Sequence, residues 1–509
     1  MFRIFGPPGT GKTTTLLDFV DRALEQGAAP QEIAFLAFTR KAAREAKERA
    51  AKRFDLNPDH DLPFFRTLHS LAFRLIGMRS EQLMTQEHYQ EVSNRIGISL
   101  AVTGFVDQED DFSGVLKRES PLLRLISLAR LKQTPLQTEY NRSNIEYTWT
   151  EVDYVSRSLD EYKQINGLYD YTDMLEMFVE SGHQMCPPFK LCLLDEAQDL
   201  SPLQWKIAHL LDQKSERMFC AGDDDQAIYE WNGARPDRFI AMQGNTTVLD
   251  QSFRVPIQIH KVAEKIAGRI SNRQAKTYLP RPEEGSLEHL HSAEFLPLEE
   301  GEWLILASCD YMLDKNRKHL IDKGIPFSHN TFRYIPFPMI QAIDGWKKLN
   351  REHTKITVGE LETVYRYLTK NEVRRGFLSA PGKEEDKQRT LSKKEVVSAF
   401  GLAEECLGRS WEEQYAKKIN EERRAFIKKA FKNNEDLYGE PRVALSTIHK
   451  AKGGEADNVA ILLDLSPAQK LNAVLNADSL HRQFYVAVTR AKENLFLINA
   501  QNESLKYGL

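Results

Sequence analysis

Residues 1–17 read "MFRIFGPPGTGKTTTLL", and how this stretch folds decides the architecture. Phe2 to Phe5 is a short apolar run of strand character. Gly6-Pro7-Pro8-Gly9-Thr10-Gly11-Lys12-Thr13 fits the pattern G-x-x-x-x-G-K-[ST] at every position. Leu16, Leu17, Phe19, Val20 and Leu24 then mark the apolar positions of a helix. Strand, glycine loop and helix together make a phosphate cradle. The glycines let backbone N–H groups approach phosphate oxygens, and the helix N-terminus adds a partial positive charge. In this reading Gly6, Gly9, Thr10, Gly11 and Thr14 belong to the nucleotide site. Lys12 neutralises the β- and γ-phosphates, and the Thr13 hydroxyl holds Mg²⁺.

A second element lies far downstream in "KLCLLDEAQDLSPLQW" (190–205). Leu191 to Leu194 is the continuous apolar run of a strand buried on both faces of a parallel sheet. Ligands bind at the carboxyl ends of such strands, where Asp195 and Glu196 stand. Asp195 is suited to binding Mg²⁺ directly or through water, and Glu196 to orienting and deprotonating an attacking water. Together the two motifs indicate an NTP hydrolase rather than a nucleotide-storing protein.

Bulk properties bound the rest. A chain of 509 residues is too long for one ordinary core, so several domains are expected. With 41% hydrophobic and 28% charged residues, the composition is that of a globular protein. The net charge of −4 provides no global basic field, so nucleic-acid binding requires a local groove. The five cysteines, Cys186, Cys192, Cys220, Cys309 and Cys406, lack metal or disulfide spacing. Buried reduced thiols and a cytoplasmic location are the expectation. The glycine loop sits where a secretory h-region would be, no run is long enough to span a bilayer, and no membrane partner is expected.

Further motifs carry a resemblance. "LLDEAQD" (193–199), "CAGDDDQAIYEWNGA" (220–234), "LDQSFRVP" (249–256), "STIHKAKGGEADNV" (446–459) and "FYVAVTRAK" (484–492) resemble the ordered motifs of the UvrD/Rep family of superfamily 1 DNA helicases. "FLAFTRKAAREAKERA" (35–50), "FRTLHSLAFRLI" (65–76) and "LYDYTDML" (168–175) are similar to other family segments. The resemblance runs from residue 2 to about residue 497. It implies an α/β fold of two RecA-like parallel-sheet motor lobes, each with a mainly helical insertion, and ATP as fuel. It implies that Arg254 and Arg490 stabilise charge on the transferring phosphoryl group. Gln226 resembles the γ-phosphate sensor, Glu455 the residue that meets the ribose, and Phe253 the aromatic that stacks on the base.

The implied track is single-stranded DNA with its junctions to duplex. Such tracks stack bases on aromatic side chains. Trp231 is the best platform, with Phe38 and Phe64 second and Phe64 better suited to the core. Tyr229 is near Trp231, but its spacing also suits the core. Thr39, Arg40, Thr67, His69, Thr447 and His449 match positions that face DNA in the family, although a histidine at such a place equally suits packing or a cap.

The expected division is 1–72 with 166–253 as the first lobe and 73–165 as its helical insertion. The second lobe is expected over 254–340 with 438–509, and 341–437 is a reduced helical insertion. In the second lobe "EWLILASCDYMLDKNRKHLIDKGIPFS" (302–328) reads as strand, helix and turn, the helix ended by Gly324 and Pro326. "NLFLINA" (494–500) reads as an apolar strand. In "ERRAFIKKAFKNN" (422–434), Arg424, Lys428 and Lys432 share one helix face, either solvated or turned to duplex.

Relatives carry a segment before the glycine loop whose glutamine reads adenine. Only Met1 to Phe5 stands there, so loose choice between ATP and GTP is expected. Thr14 stands where close relatives often have arginine. "PAQKLNAVLNAD" (467–478), where a strand-separating pin is expected, has no aromatic, and "NADSLHRQFY" (476–485) stands where the family often has acidic residues shortly before its last motif. The favoured function is an ATP-dependent DNA translocase and helicase moving 3′ to 5′. The alternatives are the opposite polarity, as in RecD-like helicases, or a nucleotide-gated DNA-binding switch working with a partner nuclease or a repair, replication or recombination complex.

Overall fold

The computed structural model describes residues 1–100, 120–374 and 387–509. Parts of the two expected insertions, 101–119 and 375–386, lie outside the described residues. The chain forms two compact units. One is Met1–Gly285 with Ala468–Thr489 and Leu509; the other is Ser286–Pro467 with Arg490–Gly508. No helix among the described residues is long and apolar enough to cross a membrane.

The first unit is built on β1 (Phe2–Phe5), β2 (Ile33–Ala37), β3 (Phe65–Thr67), β4 (Phe189–Leu194), β5 (Ser215–Gly222) and β6 (Thr246–Val248). The order is β3-β2-β4-β5-β1-β6 and every pairing is parallel. Side chains alternate across this sheet as the period of two requires. Ile4, Phe35, Leu191 and Leu193 face one layer with Leu16 and Val20. Phe5, Leu36, Cys192 and Leu194 face the other with Phe178 and Phe239. Both faces are covered by helices, which is why β2 is apolar throughout and β4 is apolar from Leu191 to Leu194. Four of the five cysteines are buried and none of the five forms a disulfide.

Helices Gln86–Ile96, Pro121–Lys132 and Trp149–Asn166 belong to the first insertion and pack around Leu122, Val152 and Val155. The "LYDYTDML" segment fastens them to the sheet layer. Asp170 caps helix Tyr171–Glu180 by accepting from the Thr172 and Asp173 N–H groups, both at 2.8 Å. Arg130 reaches Asp170 at 2.9 Å, Asp173 at 2.5 Å and Glu176 at 2.5 Å. Lys163 reaches Asp170 at 2.8 Å and Asp173 at 2.9 Å. Burial opposes ionisation of Asp170, but Arg130 and Lys163 outweigh it and hold the carboxyl at about 2, below its ordinary 3.8. A lowered carboxyl stabilises the fold above its unfolded value and loses that contribution as pH falls through the folded one. Wild type is therefore expected to exceed Asp170→Asn by roughly 2 kcal/mol at neutral pH. The difference should close between about pH 4 and pH 2, and urea unfolding across this range measures it. A constant difference across that range would show that the charge of Asp170 does not hold the insertion.

β7 (Gln251–Pro256) pairs in parallel with β8 (Leu279–Arg281), and helix Ile257–Ala267 lies between them in sequence. The second lobe was expected to begin at Arg254, yet residues through Gly285 and the helix Ala477–Val488 pack within the first unit. The reason is a set of long-range polar contacts. Arg482 donates to the Asp224 carbonyl at 2.9 Å and to Glu230 at 2.7 Å, and Asp478 accepts from the Ser271 and Asn272 N–H groups at 2.8 Å.

The second unit contains β9 (Ser286–Leu290), β10 (Trp303–Ala307), β11 (Phe327–His329), β12 (Phe332–Arg333), β13 (Ile356–Thr357), β14 (Thr390–Leu391), β15 (Val443–Thr447), β16 (Ala456–Leu462) and β17 (Ala491–Ile498). The main sheet runs β12-β11-β15-β10-β16-β17-β9, and only β11–β12 is antiparallel. β10, helix Asp314–Lys323 and a left-handed Gly324 (φ 71°) follow the expected strand, helix and turn. The second insertion brings helices Phe337–Asn350, Val358–Arg366, Lys393–Phe400 and Glu421–Lys432, with a β13–β14 ribbon. On the last helix Arg424 donates to the Glu412 carbonyl at 2.6 Å, and Lys428 lies 3.5 Å from the Glu412 carboxylate. Two of the three basic residues on that face thus engage the short helix Trp411–Gln414. The architecture is the expected mixed α/β fold with two mostly parallel sheets, consistent with two RecA-like lobes.

Candidate functional site

The glycine loop joins β1 to helix Lys12–Glu25 at the carboxyl edge of the first sheet. Gly9 and Gly11 have φ of 72° and 79°, in the left-handed region that favours glycine. A Cβ on Gly9 would collide with the Arg254 side chain and lie 2.8 Å from Ser252 Oγ. Strand β7 clamps the loop here. Ser252 Oγ donates to the Pro8 carbonyl at 2.8 Å, and the Phe253 N–H donates to the Gly9 carbonyl at 2.9 Å. Lys12 folds over the loop, its Nζ donating to the Gly6 carbonyl at 2.7 Å, and a Cβ on Gly6 would strike its stem. Thr10 Oγ1 closes the turn on the Pro7 carbonyl at 2.8 Å. Thr14 and Phe253 are exposed, Phe253 at 72%.

Thr13 Oγ1 donates to Asp195 Oδ2 at 3.0 Å, which joins the loop to the end of β4. The Asp195 carboxyl is buried; burial and the adjacent Glu196 push it up to about 6, against the pull of Lys12. Glu196 adopts φ 56° and ψ 41°, an uncommon left-handed conformation for a residue with a side chain, and its N–H donates to Asp195 Oδ1 at 2.9 Å. Gln198, fully buried, then bridges two segments: its amide donates to Glu196 Oε2, and its carbonyl oxygen accepts the Asp223 N–H at 3.0 Å. Asp223 Oδ2 in turn accepts from Gln226 Nε2 at 2.7 Å. Lys12, Thr13, Asp195, Glu196 and Gln226 are thereby brought together at the ends of β1, β4 and β5.

The segment after Gln226 carries the aromatic group. Phe38 and Tyr229 stack with centroids 5.4 Å apart, and Trp231 meets Tyr229 edge-on at 6.3 Å. Tyr229 is buried, whereas Trp231 is 39% exposed with the Arg124 guanidinium 4.9 Å from its ring centroid. Phe64 packs edge-on against Phe189 at 5.1 Å, which is its core role. Thr39 and Thr67 stand at the carboxyl ends of β2 and β3 and are helix N-caps, accepting from the Ala42 N–H at 3.1 Å and the Ser70 N–H at 3.2 Å. Arg40 is exposed beside them. Burial and then Arg40 push His69 down to about 4, so its imidazole is neutral at pH 7.

In the second unit Thr447 ends β15, and His449 follows in the next turn. Glu455 is exposed on the turn into β16. Arg490 is buried and donates from Nη1 to the Gly454 carbonyl at 3.1 Å, so Arg490 and the Glu455 turn are neighbours. Gln198, Ser252, Lys276 and Arg482 were not assigned roles from sequence. Gln198 lies inside the quoted "DEAQD" and Ser252 inside "LDQSFRVP", so their motif positions were the available signal.

Comparison with known proteins gives two family matches: the UvrD/REP helicase N-terminal domain over residues 2–247 and the UvrD-like helicase C-terminal domain over residues 442–498. A Bacillus subtilis (strain 168) protein, named provisionally as the ATP-dependent DNA helicase YjcD, is 26% identical over 285 residues, covering 53% of this chain and 36% of that protein. A provisionally named DNA helicase II homolog of Rickettsia conorii is 28% identical over 331 residues, 61% of this chain and 48% of that protein. The ATP-dependent DNA helicase PcrA of Staphylococcus aureus (strain Mu50) is 24% identical over 353 residues, 64% of this chain and 46% of that protein. The chain thus spans about half the length, or less, of the curated relatives it matches.

Proposed function

We propose that this chain, which belongs to the UvrD/REP helicase family, is an ATP-driven DNA motor that tracks along single strands 3′ to 5′ and unwinds duplex at junctions. The observation that carries the reading is the Thr13–Asp195 contact at 3.0 Å beside Lys12, with Glu196 next to it. The cradle suits a nucleotide with Mg²⁺: a Cβ at Gly6 or Gly9 would collide with its neighbours, and a hydroxyl and a carboxylate converge at its rim. Thr13 and Asp195 would hold the ion, which when bound neutralises phosphate charge. Lys12 would bind the β- and γ-phosphates, and Glu196 would orient and deprotonate the attacking water. From the family resemblance, Arg254 and Arg490 would stabilise the developing charge, Gln226 would sense the γ-phosphate, Glu455 would meet the ribose and Phe253 would stack on the base. Phe38, Thr39, Arg40, Thr67, His69, Trp231, Thr447 and His449 would line the track.

Strand displacement on duplexes with 3′ or 5′ tails, measured beside DNA-stimulated ATP hydrolysis, tests the reading. Displacement from 3′ tails alone is expected. A second reading, a nucleotide-gated DNA-binding switch with a protein partner, is favoured by one observation. The segment expected to hold a pin is a helix, Pro467–Leu475, without an aromatic residue. ATP turnover that does not rise with single-strand length would support the switch over the motor.

Trp231→Ala is expected to weaken single-strand binding by roughly 1–3 kcal/mol and to lower DNA stimulation with it. Basal turnover should survive because Lys12, Asp195 and Glu196 are untouched. The exposure of the ring also predicts a melting temperature close to wild type. A large fall in melting temperature with unchanged DNA affinity in the folded fraction would make Trp231 a packing residue.

A further inference from the structure

Three consecutive carboxylates, Asp223, Asp224 and Asp225, follow β5 and are completely buried. Buried charges cost several kcal/mol each unless they are paired and hydrogen-bonded. The pairing comes from a stretch more than forty residues downstream, between helix Ile257–Ala267 and β8. Lys276 places its ammonium among all three, 3.0 Å from Asp223, 2.7 Å from Asp224 and 2.7 Å from Asp225, with the Phe5 ring 5.5 Å away. Arg273 holds Asp225 through two hydrogen bonds of 2.7 and 2.6 Å, and the Gln274 N–H donates to Asp224 at 2.7 Å. Arg482 takes the Asp224 carbonyl, Glu230 and the Asn272 carbonyl at 2.9, 2.7 and 2.6 Å. Lys276 is thus the one cation among the described residues that bridges all three acids.

The Lys276–Asp223 contact sits at the root of a relay. One Asp223 oxygen faces Lys276 and the other accepts from Gln226. The Asp223 N–H meets Gln198, whose amide reaches Glu196. We propose that Lys276 is a positioning residue for the ATP hydrolysis argued above: its ammonium holds the Asp223 carboxylate in place, and Asp223 in turn fixes Gln226 directly and Glu196 through Gln198. The inference rests on that functional reading. Lys276 acts through Asp223, whose other oxygen accepts from Gln226. Removing its charge leaves an uncompensated carboxylate, which then takes a proton. Burial first, and then Asp225 and Asp223, push the Asp224 carboxyl upward against the pull of Lys276. The other ionisable groups around the cluster are Arg3, Arg273, Arg482, Glu230, Tyr278 and Tyr485.

The test uses the full chain with ATP and single-stranded DNA. Lys276→Met is expected to lower kcat by about 10²-fold, the scale of a small misplacement in a reaction centre, with the ATP KM within about threefold of wild type. The deficit should shrink as pH falls from about 8 to about 6, when protons replace the missing ammonium, while wild type shows no such gain. If Lys276→Met yields no folded protein, Lys276→Arg carries the test. A planar guanidinium does not fit among three carboxylates as a compact ammonium does, and about a tenfold loss of kcat with unchanged KM is expected. Wild-type kcat in the folded fraction of either variant, or a Lys276→Met deficit that is constant with pH, overturns the proposal. Absence of DNA-stimulated hydrolysis by the wild-type chain would instead overturn the functional reading itself.

Discussion

Replacing Lys12 with alanine is expected to lower DNA-stimulated ATP turnover by at least about 10³-fold, the upper range for loss of one electrostatic donor. The ammonium ends 2.7 Å from the Gly6 carbonyl, above the loop whose N–H groups would meet phosphate. Its partner there is a neutral carbonyl, so the fold loses one hydrogen bond on truncation while the loop loses its cation. Nucleotide affinity should fall with turnover, since the charge serves ground and transition states alike. Phosphate release and binding of a fluorescent nucleotide, measured together, check both. Turnover near wild type would mean that the glycine loop is not the hydrolytic phosphate site.

Glu196→Gln should separate those two effects. The amide keeps the shape and an acceptor for Gln198, and the backbone turn is unchanged. Nucleotide binding should therefore persist while turnover falls by about 10²–10⁴-fold, the usual contribution of a general base. The geometry makes the variant informative, because Asp195, rather than Glu196, accepts from Thr13. A variant that binds normally and turns over normally would assign water activation elsewhere.

The parts of the fold and site that were legible in the sequence are those set by local pattern. The glycine loop needs only a strand before it and a helix after it, and β4 announces itself because both faces of its sheet are covered. Gly324 ends its helix as a left-handed cap, which neighbouring residues alone indicate. What stayed hidden depends on residues distant in sequence. Lys276 has the spacing of a surface cation until Asp223, Asp224 and Asp225 are folded around it. The side of the boundary taken by residues 254–285 likewise depends on Arg482 and Asp478, some two hundred positions later. Thr39 and Thr67 show a further limit, since a DNA-facing motif position and a helix cap look identical in sequence.

The position of β1 sets the order in which the nascent polypeptide can mature. β1 lies between β5 and β6, with Phe2 beside Phe219 and Arg3 beside Thr246. At roughly 5–20 residues per second of synthesis, the strand carrying the glycine loop waits about 10–45 s for those partners to be made. During that interval its apolar side chains and both backbone edges are open to wrong pairings. Ser252, which clamps the loop through Pro8, is made later still. Nucleotide therefore has no cradle to bind while the first half of the unit is on the ribosome. If the proposed function holds, ATP tightens this protein only after translation has passed β7, and ribosome-bound chains stalled before Ser252 should gain no protease resistance from it.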